Sequence, residues 1–274
     1  MRVLITGIEG FVGRHLAAAL ASVGYEVAGT ALSPAAAEGP WRVIELDVGD
    51  PDRVARVIDE EHADAIVHLA GRASVADSFR EPVVTYEVNL GGALHLLEAC
   101  RRTGVGRLLL VTSCEIYGEL DPMDGPVAEQ RTMAPVSPYG GSKAAQDLLG
   151  EQYARAFGLP VVRARSFPHT GPGQQESYLF PSVARRVAEA EAGLGPPTIK
   201  VGNVDVVRDL LDVRDVARAY VLLLERGRPG EAYNVCSGRG RTLRDSLAGL
   251  CRLARLPVHL ESDPSRERPA DIPW

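Results

Sequence analysis

Short apolar runs alternate with longer amphipathic stretches along most of the chain. Apolar runs of about four to eight residues are typical of buried strands, and apolar residues that recur about every three to four positions are typical of helices with one buried face. The predicted strands are 3–5, 25–30, 42–46, 65–71, 107–112, 160–165 and 232–235, and the predicted helices are 15–23, 52–61, 83–102, 137–157 and 213–226.

This alternation predicts an α/β fold, a Rossmann-type doubly wound parallel sheet covered by helices on both faces. The alternation breaks down after residue 166, in a stretch rich in turn residues. We therefore expect a dinucleotide-binding domain at 1–167 plus 204–236 and a smaller C-terminal substrate-binding lobe at 168–203 plus 237–274. The elements predicted around and within the lobe are a helix at 178–192, strands at 198–201 and 206–211, and a helix, a strand and a basic Pro-rich tail from 241 to 274.

The composition restricts the classes of partner. The 274 residues are 45% apolar and carry a formal net charge of −6, without a basic patch that would favour nucleic acid or an anionic membrane. The four cysteines have no metal-ligand spacing, so we expect free thiols and neither a metal site nor a disulfide. No apolar run is long enough for a membrane span, and a strand pattern that starts at Arg2 leaves no room for a signal peptide. The sequence predicts a cytoplasmic protein that binds small molecules.

A glycine-rich turn follows the first predicted strand. It reads Thr6-Gly7-Ile8-Glu9-Gly10-Phe11-Val12-Gly13 and runs into the helix at 15–23. Glycines in this pattern let the backbone approach a pyrophosphate, which then lies on the helix N-terminus, where N–H groups and the dipole favour anions. Because strand, turn and helix come in the required order, we expect a dinucleotide to bind at Gly7, Gly10, Phe11, Val12 and Gly13.

The ends of the next strands bear on the choice of cofactor. A carboxylate at the end of the second strand would bind the 2′-hydroxyl of NAD, but this chain has Ala31 there, with no acid to repel a 2′-phosphate and no nearby arginine to bind one. The choice stays open, with NADP(H) favoured over NAD(H). Asp47 and Val48 are expected at the adenine, although Asp47 is equally consistent with a helix-capping neighbour. The small residues of Leu69-Ala70-Gly71 would let the backbone approach the cofactor.

Tyr139 and Lys143 lie four residues apart at the start of the predicted helix 137–157, and so share one face. A phenol beside an ammonium group can exchange a proton near neutral pH although its unperturbed pKa is about 10, as carbonyl/alcohol redox chemistry requires. The pair alone also fits a helix face with a solvated lysine. Ser113 and Glu115 directly follow the strand at 107–112, so we expect them in the crevice at the carboxyl ends of the strands; the alternative is a turn serine and a surface glutamate.

Five motifs, in their order and spacing, resemble the extended short-chain dehydrogenase/reductase family, the NAD-dependent epimerases and dehydratases. They are Thr6-Gly7-x-x-Gly10-x-x-Gly13, Asp47-Val48, Leu69-Ala70-Gly71, Ser113 and Tyr139-x-x-x-Lys143. Within that family, the stretches 165–174, 199–203, 207–209 and 233–238 resemble GDP-6-deoxy-D-mannose reductases. The likeness covers nearly the whole chain. It implies reduction of GDP-4-dehydro-6-deoxy-D-mannose at C4 to GDP-D-rhamnose by a nicotinamide cofactor.

The resemblance also implies roles for individual residues. Tyr139 would be the general acid, Ser113 would hydrogen-bond the C4 oxygen, and Lys143 would hold the cofactor ribose and lower the pKa of Tyr139. Cofactor contacts are further implied for Ser166 and His169, and substrate contacts for Ser113, Glu115, Arg185, Asn203, Arg208 and Arg268. Arg208 and Arg268 would clamp the diphosphate, although both also fit as ordinary surface arginines. A homodimer through a bundle of the helices at 83–102 and 137–157 is implied as well.

Two departures from the family pattern affect these expectations. Pro168 stands where the family usually has an asparagine, so a side-chain donor near the substrate is missing and the exact sugar is open. The chain stops at Trp274, short of the final segment that such enzymes usually carry, so we expect either a truncated polypeptide or an unusual end.

Three other functions compete with the reductase. Glu115 stands where related GDP-mannose 4,6-dehydratases have their base, so a dehydratase that recycles its cofactor is the main alternative. A fucose-synthase-like epimerase/reductase is less favoured, because its cysteine falls at Glu115 and Cys114 is one residue off. A non-catalytic nucleotide-sensing protein on the same fold is the alternative of another class.

Overall fold

The computed structural model describes residues 1–33, 39–121 and 125–266, which contacts divide into two units. The first unit is Met1–Gly118, Val127–Phe167 and Val213–Val235. The second unit is Glu119–Pro126, Pro168–Asp212 and Cys236–Trp274, as far as these stretches are described. Each unit has a hydrophobic core of its own.

A seven-stranded sheet forms the centre of the first unit, and all its neighbouring strands are parallel. Its strands, numbered in chain order, are β1 (Arg2–Thr6), β2 (Glu26–Ala31), β3 (Arg42–Glu45), β4 (Ala65–His68), β5 (Arg107–Ser113), β6 (Val161–Ser166) and β11 (Ala232–Val235). Their order across the sheet is β11-β6-β5-β4-β1-β2-β3, so the direction of winding reverses between β1 and β4. The predicted doubly wound α/β fold is confirmed, and ligands of such folds bind at the carboxyl ends of the strands near this reversal.

The helices of the first unit include two packed groups. The helices of the first unit are α1 (Phe11–Ser22), α2 (Pro51–Glu61), α3 (Val75–Arg80), α4 (Pro82–Tyr86), α5 (Gly92–Thr103), α6 (Pro138–Phe157) and α8 (Val213–Arg226). α1 packs against α8, whereas α5 packs against both α2 and α6. Leu4 and Ile66 from the strands and Leu96 from α5 lie in one buried cluster. Each such side chain contributes about 1.5–3 kcal/mol by leaving water, which holds this second group of helices on the sheet.

The single helix predicted at 83–102 is interrupted. α4 and α5 are separated by a π-helical turn at Glu87–Gly91, and this turn contains the buried Asn89. The Asn89 side chain pairs with the backbone of Arg72: its Oδ1 accepts from Arg72 N at 2.8 Å and its Nδ2 donates to Arg72 O at 3.1 Å. The wider turn lets a polar side chain in an otherwise apolar helix face reach these partners, and π turns of this kind are frequent at functional sites.

The described residues of the second unit form three two-stranded pairings and two α-helices. The pairings are β7 (His169–Thr170) with β10 (Leu211–Asp212), β8 (Thr198–Val201) with β13 (His259–Ser262), and β9 (Val207–Asp209) with β12 (Gly240–Thr242). α7 (Leu179–Glu191) packs against α9 (Leu243–Cys251). Because β9 pairs with β12, contacts place residues 204–212 in this unit, whereas the sequence analysis assigned them to the first. The binding role expected for each unit stays a prediction.

Candidate active site

The glycine-rich turn leaves β1 and enters α1 through very close backbone contacts. Gly7 has a φ of +74°, which favours glycine, and a Cβ there would lie 2.9 Å from Ala70 N. A Cβ at Gly13 would lie 2.5 Å from the carbonyl oxygens of Gly7 and Ile8, so only glycine fits. The N-cap of α1 is Gly10, and no side chain caps this helix end. A helix N-terminus without a side-chain cap, reached through a turn of bare backbone, fits the pyrophosphate of a dinucleotide.

The residues expected at the adenosine part of the cofactor lie at neighbouring strand ends. Ala31 is the last residue of β2 and is buried. Its partner in the parallel register is Glu45 of β3, so the acidic residue at this edge belongs to the neighbouring strand and not to β2. Asp47 organises the turn after β3, because its Oδ1 accepts from Gly49 N at 2.8 Å; the helix cap itself is Asp50. Val48 is buried beside them.

The β4 end brings small residues against the turn. Ala70 N donates to Thr6 Oγ1 at 3.2 Å, and the same hydroxyl is 2.8 Å from His68 Nδ1. These bonds hold the segment Leu69-Ala70-Gly71 next to the glycine-rich turn, as the pattern of small residues predicts for a backbone that approaches a cofactor.

The catalytic candidates of the first unit meet where β5 ends and α6 begins. Ser113 is the last residue of β5, and its Oγ accepts from Glu115 N at 3.2 Å, which caps the short 3₁₀ helix Cys114–Tyr117. α6 is capped by Ser137, whose Oγ accepts from Gly140 N at 3.0 Å, so Tyr139 lies in its first turn. The Ser113 hydroxyl lies near enough to the Tyr139 phenol for hydrogen bonding between them to lower the pKa of the phenol. The structure thus brings a hydroxyl beside the phenol, an arrangement that can hold a carbonyl oxygen between two donors.

The pKa of Tyr139 is shifted in the direction opposite to the one expected from its lysine neighbour. Burial raises the pKa of the phenol well above its ordinary value, hydrogen bonding with Ser113 lowers it, and the nearby negative charge of Glu115 raises it further. The expectation that Tyr139 has a lowered pKa is therefore wrong for the protein chain by itself. The phenol is protonated at neutral pH, which suits a proton donor.

Lys143 follows one turn later and is turned into the interior. Its Nζ donates to Gln146 Oε1 at 2.8 Å and to Val111 O at 3.2 Å, and the residue is 8% exposed. Burial lowers its pKa to about 8, so the ammonium form still predominates at neutral pH. Burial and the charge of Lys143 lower the pKa of the nearby His68 to about 3, so that this imidazole is neutral.

Three residues near this lysine were missed by sequence reasoning. Asn89 Nδ2 donates to Ser142 Oγ at 2.9 Å, which ties the π turn to α6 beside Lys143. His68 and Gln146 are both at most 1% exposed. A polar residue inside an apolar strand or on the buried face of a helix was the only available indication, and their partners are distant in sequence or hidden by the fold.

The other predicted contacts are spread over the chain. Ser166, at the end of β6, is hydrogen-bonded to Tyr220 of α8 in the first unit. His169, Arg185, Asn203 and Arg208 belong to the second unit, and Arg268 lies outside the described residues. Arg185 forms ion pairs with Glu176 and Glu189 on an exposed surface, which competes with a substrate role. Arg208 Nη1 donates to Val207 O at 2.7 Å.

The fold and the site define an NAD(P)-dependent oxidoreductase of the short-chain dehydrogenase/reductase type. The glycine-rich turn, the Ser113–Tyr139 pair and the buried lysine all lie in the parallel-sheet unit. The chain belongs to the NAD dependent epimerase/dehydratase family, which it matches over residues 3–236.

Similar proteins in this family catalyse more than one reaction. The chain is 37% identical to the GDP-6-deoxy-D-mannose reductase of Pseudomonas aeruginosa, over 98% of this chain and 86% of the relative. It is 31% identical to a dTDP-glucose 4,6-dehydratase of Xanthomonas campestris pv. campestris, over 99% of this chain and 80% of the relative. Among solved structures, that of RMD from Pseudomonas aeruginosa complexed with NADPH has a TM-score of 0.85 and 36% identity, and covers 99% of this chain and 87% of that one.

Proposed function

We propose that the protein reduces the C4 keto group of GDP-4-dehydro-6-deoxy-D-mannose to form GDP-D-rhamnose, with NADPH or NADH as the reductant. Its 37% identity to a GDP-6-deoxy-D-mannose reductase over nearly the whole chain supports this substrate. The observation that carries the reaction is the protonated Tyr139 beside Ser113, because reduction of a ketone needs a proton donor at the oxygen.

The glycine-rich turn, Ser113, Tyr139 and Lys143 would each have a separate role in such a reduction. The glycine-rich turn would hold the pyrophosphate of the cofactor, whose reduced nicotinamide would supply a hydride. Ser113 donates a hydrogen bond to the C4 oxygen and Tyr139 transfers its proton to that oxygen as charge develops there. Burial keeps Tyr139 protonated until then. Lys143, cationic below a pKa of about 8, would hold the ribose hydroxyls and offset the negative charge left on the phenolate.

A 4,6-dehydratase is the second candidate, because of Glu115. A dehydratase oxidises C4 first and then removes a proton from C5, so it needs a carboxylate base at the ring. Glu115 lies close enough to Tyr139 for its charge to raise the phenol's pKa, and the similarity to a dTDP-glucose 4,6-dehydratase points the same way. The higher identity to a GDP-6-deoxy-D-mannose reductase, 37% against 31% to the dehydratase, favours the reductase.

Substrate recognition is proposed for groups of the second unit. Arg208 would bind the diphosphate by paired charge-assisted hydrogen bonds, together with Arg268, and Asn203 would contribute a side-chain amide. Arg185 is the weakest of the proposed contacts, because Glu176 and Glu189 already hold its guanidinium.

Incubation with a panel of nucleotide 4-keto-6-deoxy sugars tests the proposed substrate. Each sugar, with GDP, UDP or dTDP as the nucleotide, is given with NADPH and then with NADH, while absorbance is followed and the product is identified. We expect the GDP sugar to be reduced fastest. Faster reduction of a UDP or dTDP sugar would overturn the assignment of the base, and lack of reduction of all of them would overturn the reductase.

Ala31→Asp is expected to move the cofactor preference from NADPH toward NADH by about tenfold or more. The new carboxylate would repel a 2′-phosphate and accept a hydrogen bond from a free 2′-hydroxyl. Ala31→Asn is the control, since it adds nearly the same volume without the charge. The ratio of kcat/KM for the two cofactors gives the answer. A wild-type enzyme that uses NADH alone would contradict the proposed role of Ala31.

We further propose a cytoplasmic homodimer that pairs the helices between residues 82 and 103 with α6. Val83, Leu94 and Leu148 on these helices are 66%, 41% and 56% exposed, a set of apolar side chains that a second copy would cover. None of the helices in the described part of the chain is long and apolar enough to cross a membrane.

Leu148→Glu is expected to convert the dimer to a monomer, because it would bury a charge at the proposed interface. Leu253→Glu is the matched control, since Leu253 is 80% exposed in the second unit. Light scattering after size exclusion measures both masses. A wild-type monomer, or a Leu148→Glu dimer, would contradict the proposed interface.

A further inference from the structure

We propose that Gln146 is a positioning residue for Lys143: its side-chain oxygen holds the ammonium group in the place from which it meets the cofactor. The inference rests on the proposed function only in assigning Lys143 to the cofactor ribose. Gln146 itself lies one helical turn after Lys143, at the i,i+3 spacing that lets side chains on one helix meet.

The geometry around Lys143 leaves this ammonium with two acceptors of different kinds. One is the backbone oxygen of Val111, at 3.2 Å, which belongs to β5 and is present whatever the side chain. The other is Gln146 Oε1, at 2.8 Å, which is the shorter bond and comes from a side chain. A lysine side chain has four rotatable bonds, so two acceptors restrict the position of its ammonium group more than one acceptor does.

The burial of Gln146 shows that its oxygen is the useful part of this amide. The residue has no exposed surface, and its Nε2 has no hydrogen-bond partner among the described residues. A leucine of similar size would fill this space without leaving an unpaired N–H group in the interior. What the amide adds at this position is therefore the acceptor that it offers to Lys143.

No charged partner for Lys143 competes with this role among the surrounding described groups. His68, which faces it from β4, is neutral because burial lowers its pKa to about 3. Asp147, which follows Gln146 on α6, forms ion pairs with Arg163 and Arg165 on β6. Tyr139 on the same helix is protonated. The ammonium group is thus held by two neutral oxygens.

Gln146→Leu and Gln146→Glu are expected to change cofactor binding in different ways. The leucine removes one of the two acceptors, which restrains the ammonium group less and disfavours its charged form. NADPH should therefore bind about tenfold more weakly, and the loss of affinity with rising pH should have a lower midpoint than in wild type. A glutamate keeps an oxygen in place and adds a charge, so affinity should be retained near pH 7 and the loss should move to higher pH.

The experiment is a fluorescence titration of the whole protein with NADPH between about pH 6.5 and 9.5, with Gln152→Leu as the control. Gln152 is an exposed glutamine on the same helix, so this variant should match wild type. Wild-type affinity and midpoint in folded Gln146→Leu, or midpoints that shift in the same direction in both Gln146 variants, would overturn the proposal. If Gln146→Leu does not fold, the direction of the Gln146→Glu shift decides alone. No sugar is present, so a wrong sugar assignment leaves the result unchanged.

Discussion

Tyr139→Phe is expected to lower kcat by about two to four orders of magnitude, with NADPH affinity within about twofold of wild type. The variant removes the proton donor beside Ser113, and it leaves the glycine-rich turn unchanged. Phenylalanine also keeps the ring, so packing at the start of α6 is preserved.

The matched control is Tyr153→Phe, which makes the same chemical change about four turns further along α6. Tyr153 is buried and donates to Glu98 Oε2 at 3.3 Å, remote from Ser113 in sequence and in its partners. Its variant should turn over at the wild-type rate. Single-turnover reduction measured for both variants separates the chemical step from product release, and a wild-type rate for Tyr139→Phe would remove this residue from the mechanism.

Asp147→Asn is expected to destabilise the protein by about 3–5 kcal/mol. The carboxylate has no exposed surface, and it accepts from Arg163 Nη1 at 2.7 Å, from Arg165 Nε at 3.0 Å and Nη2 at 2.8 Å, and from Thr112 Oγ1 at 3.0 Å. Asparagine removes the charge and presents an N–H group to these donors. Two guanidinium groups, each at most 6% exposed, would then lie between α6 and the sheet with less negative charge to balance them.

Asp205→Asn is the control, because it makes the same chemical change at an aspartate–arginine pair on the surface. Asp205 accepts from Arg244 Nε at 2.8 Å and Nη2 at 2.9 Å, but both side chains are more than half exposed. Exposed ion pairs of this kind contribute little to stability, so the Asp205→Asn variant should have nearly the wild-type free energy of unfolding. Urea unfolding compares the two variants. An Asp147→Asn free energy of unfolding within about 1 kcal/mol of wild type would contradict the importance of the buried network.

The parts of the site that depend on local backbone chemistry were predictable from sequence. Gly7 and Gly13 are required by contacts within a turn of a few residues, so their spacing was enough to place the turn between β1 and α1. The four-residue interval between Tyr139 and Lys143 likewise predicted a shared helix, and α6 contains both. The ends of most strands of the large sheet were located to within a residue or two because apolar runs stop where the chain leaves the sheet, but β4 ends at His68 and not at Gly71 as predicted.

The electrostatic state of the site was not predictable, because it depends on burial and on distant partners. The pKa of Tyr139 is raised mainly by burial, and sequence spacing to Lys143 contains no information about depth. Asn89 looked like one polar position in a long amphipathic helix, and only its bonds to Arg72, 17 residues earlier, explain the π turn. The role of Asp147 could not be recognised within the predicted helix 137–157, because its partners come from the strands β5 and β6.

The consumption of NADPH per molecule of sugar tests the central claim most directly. The enzyme is incubated with GDP-4-dehydro-6-deoxy-D-mannose and NADPH, and separately with GDP-mannose without reduced cofactor, for wild type and for Glu115→Gln. A reductase that relies on Tyr139 should oxidise one NADPH for each keto sugar, leave GDP-mannose unchanged, and lose only a modest part of its rate in Glu115→Gln. Conversion of GDP-mannose to a 4-keto-6-deoxy product without added NADPH, abolished in Glu115→Gln, would contradict this account and identify a dehydratase.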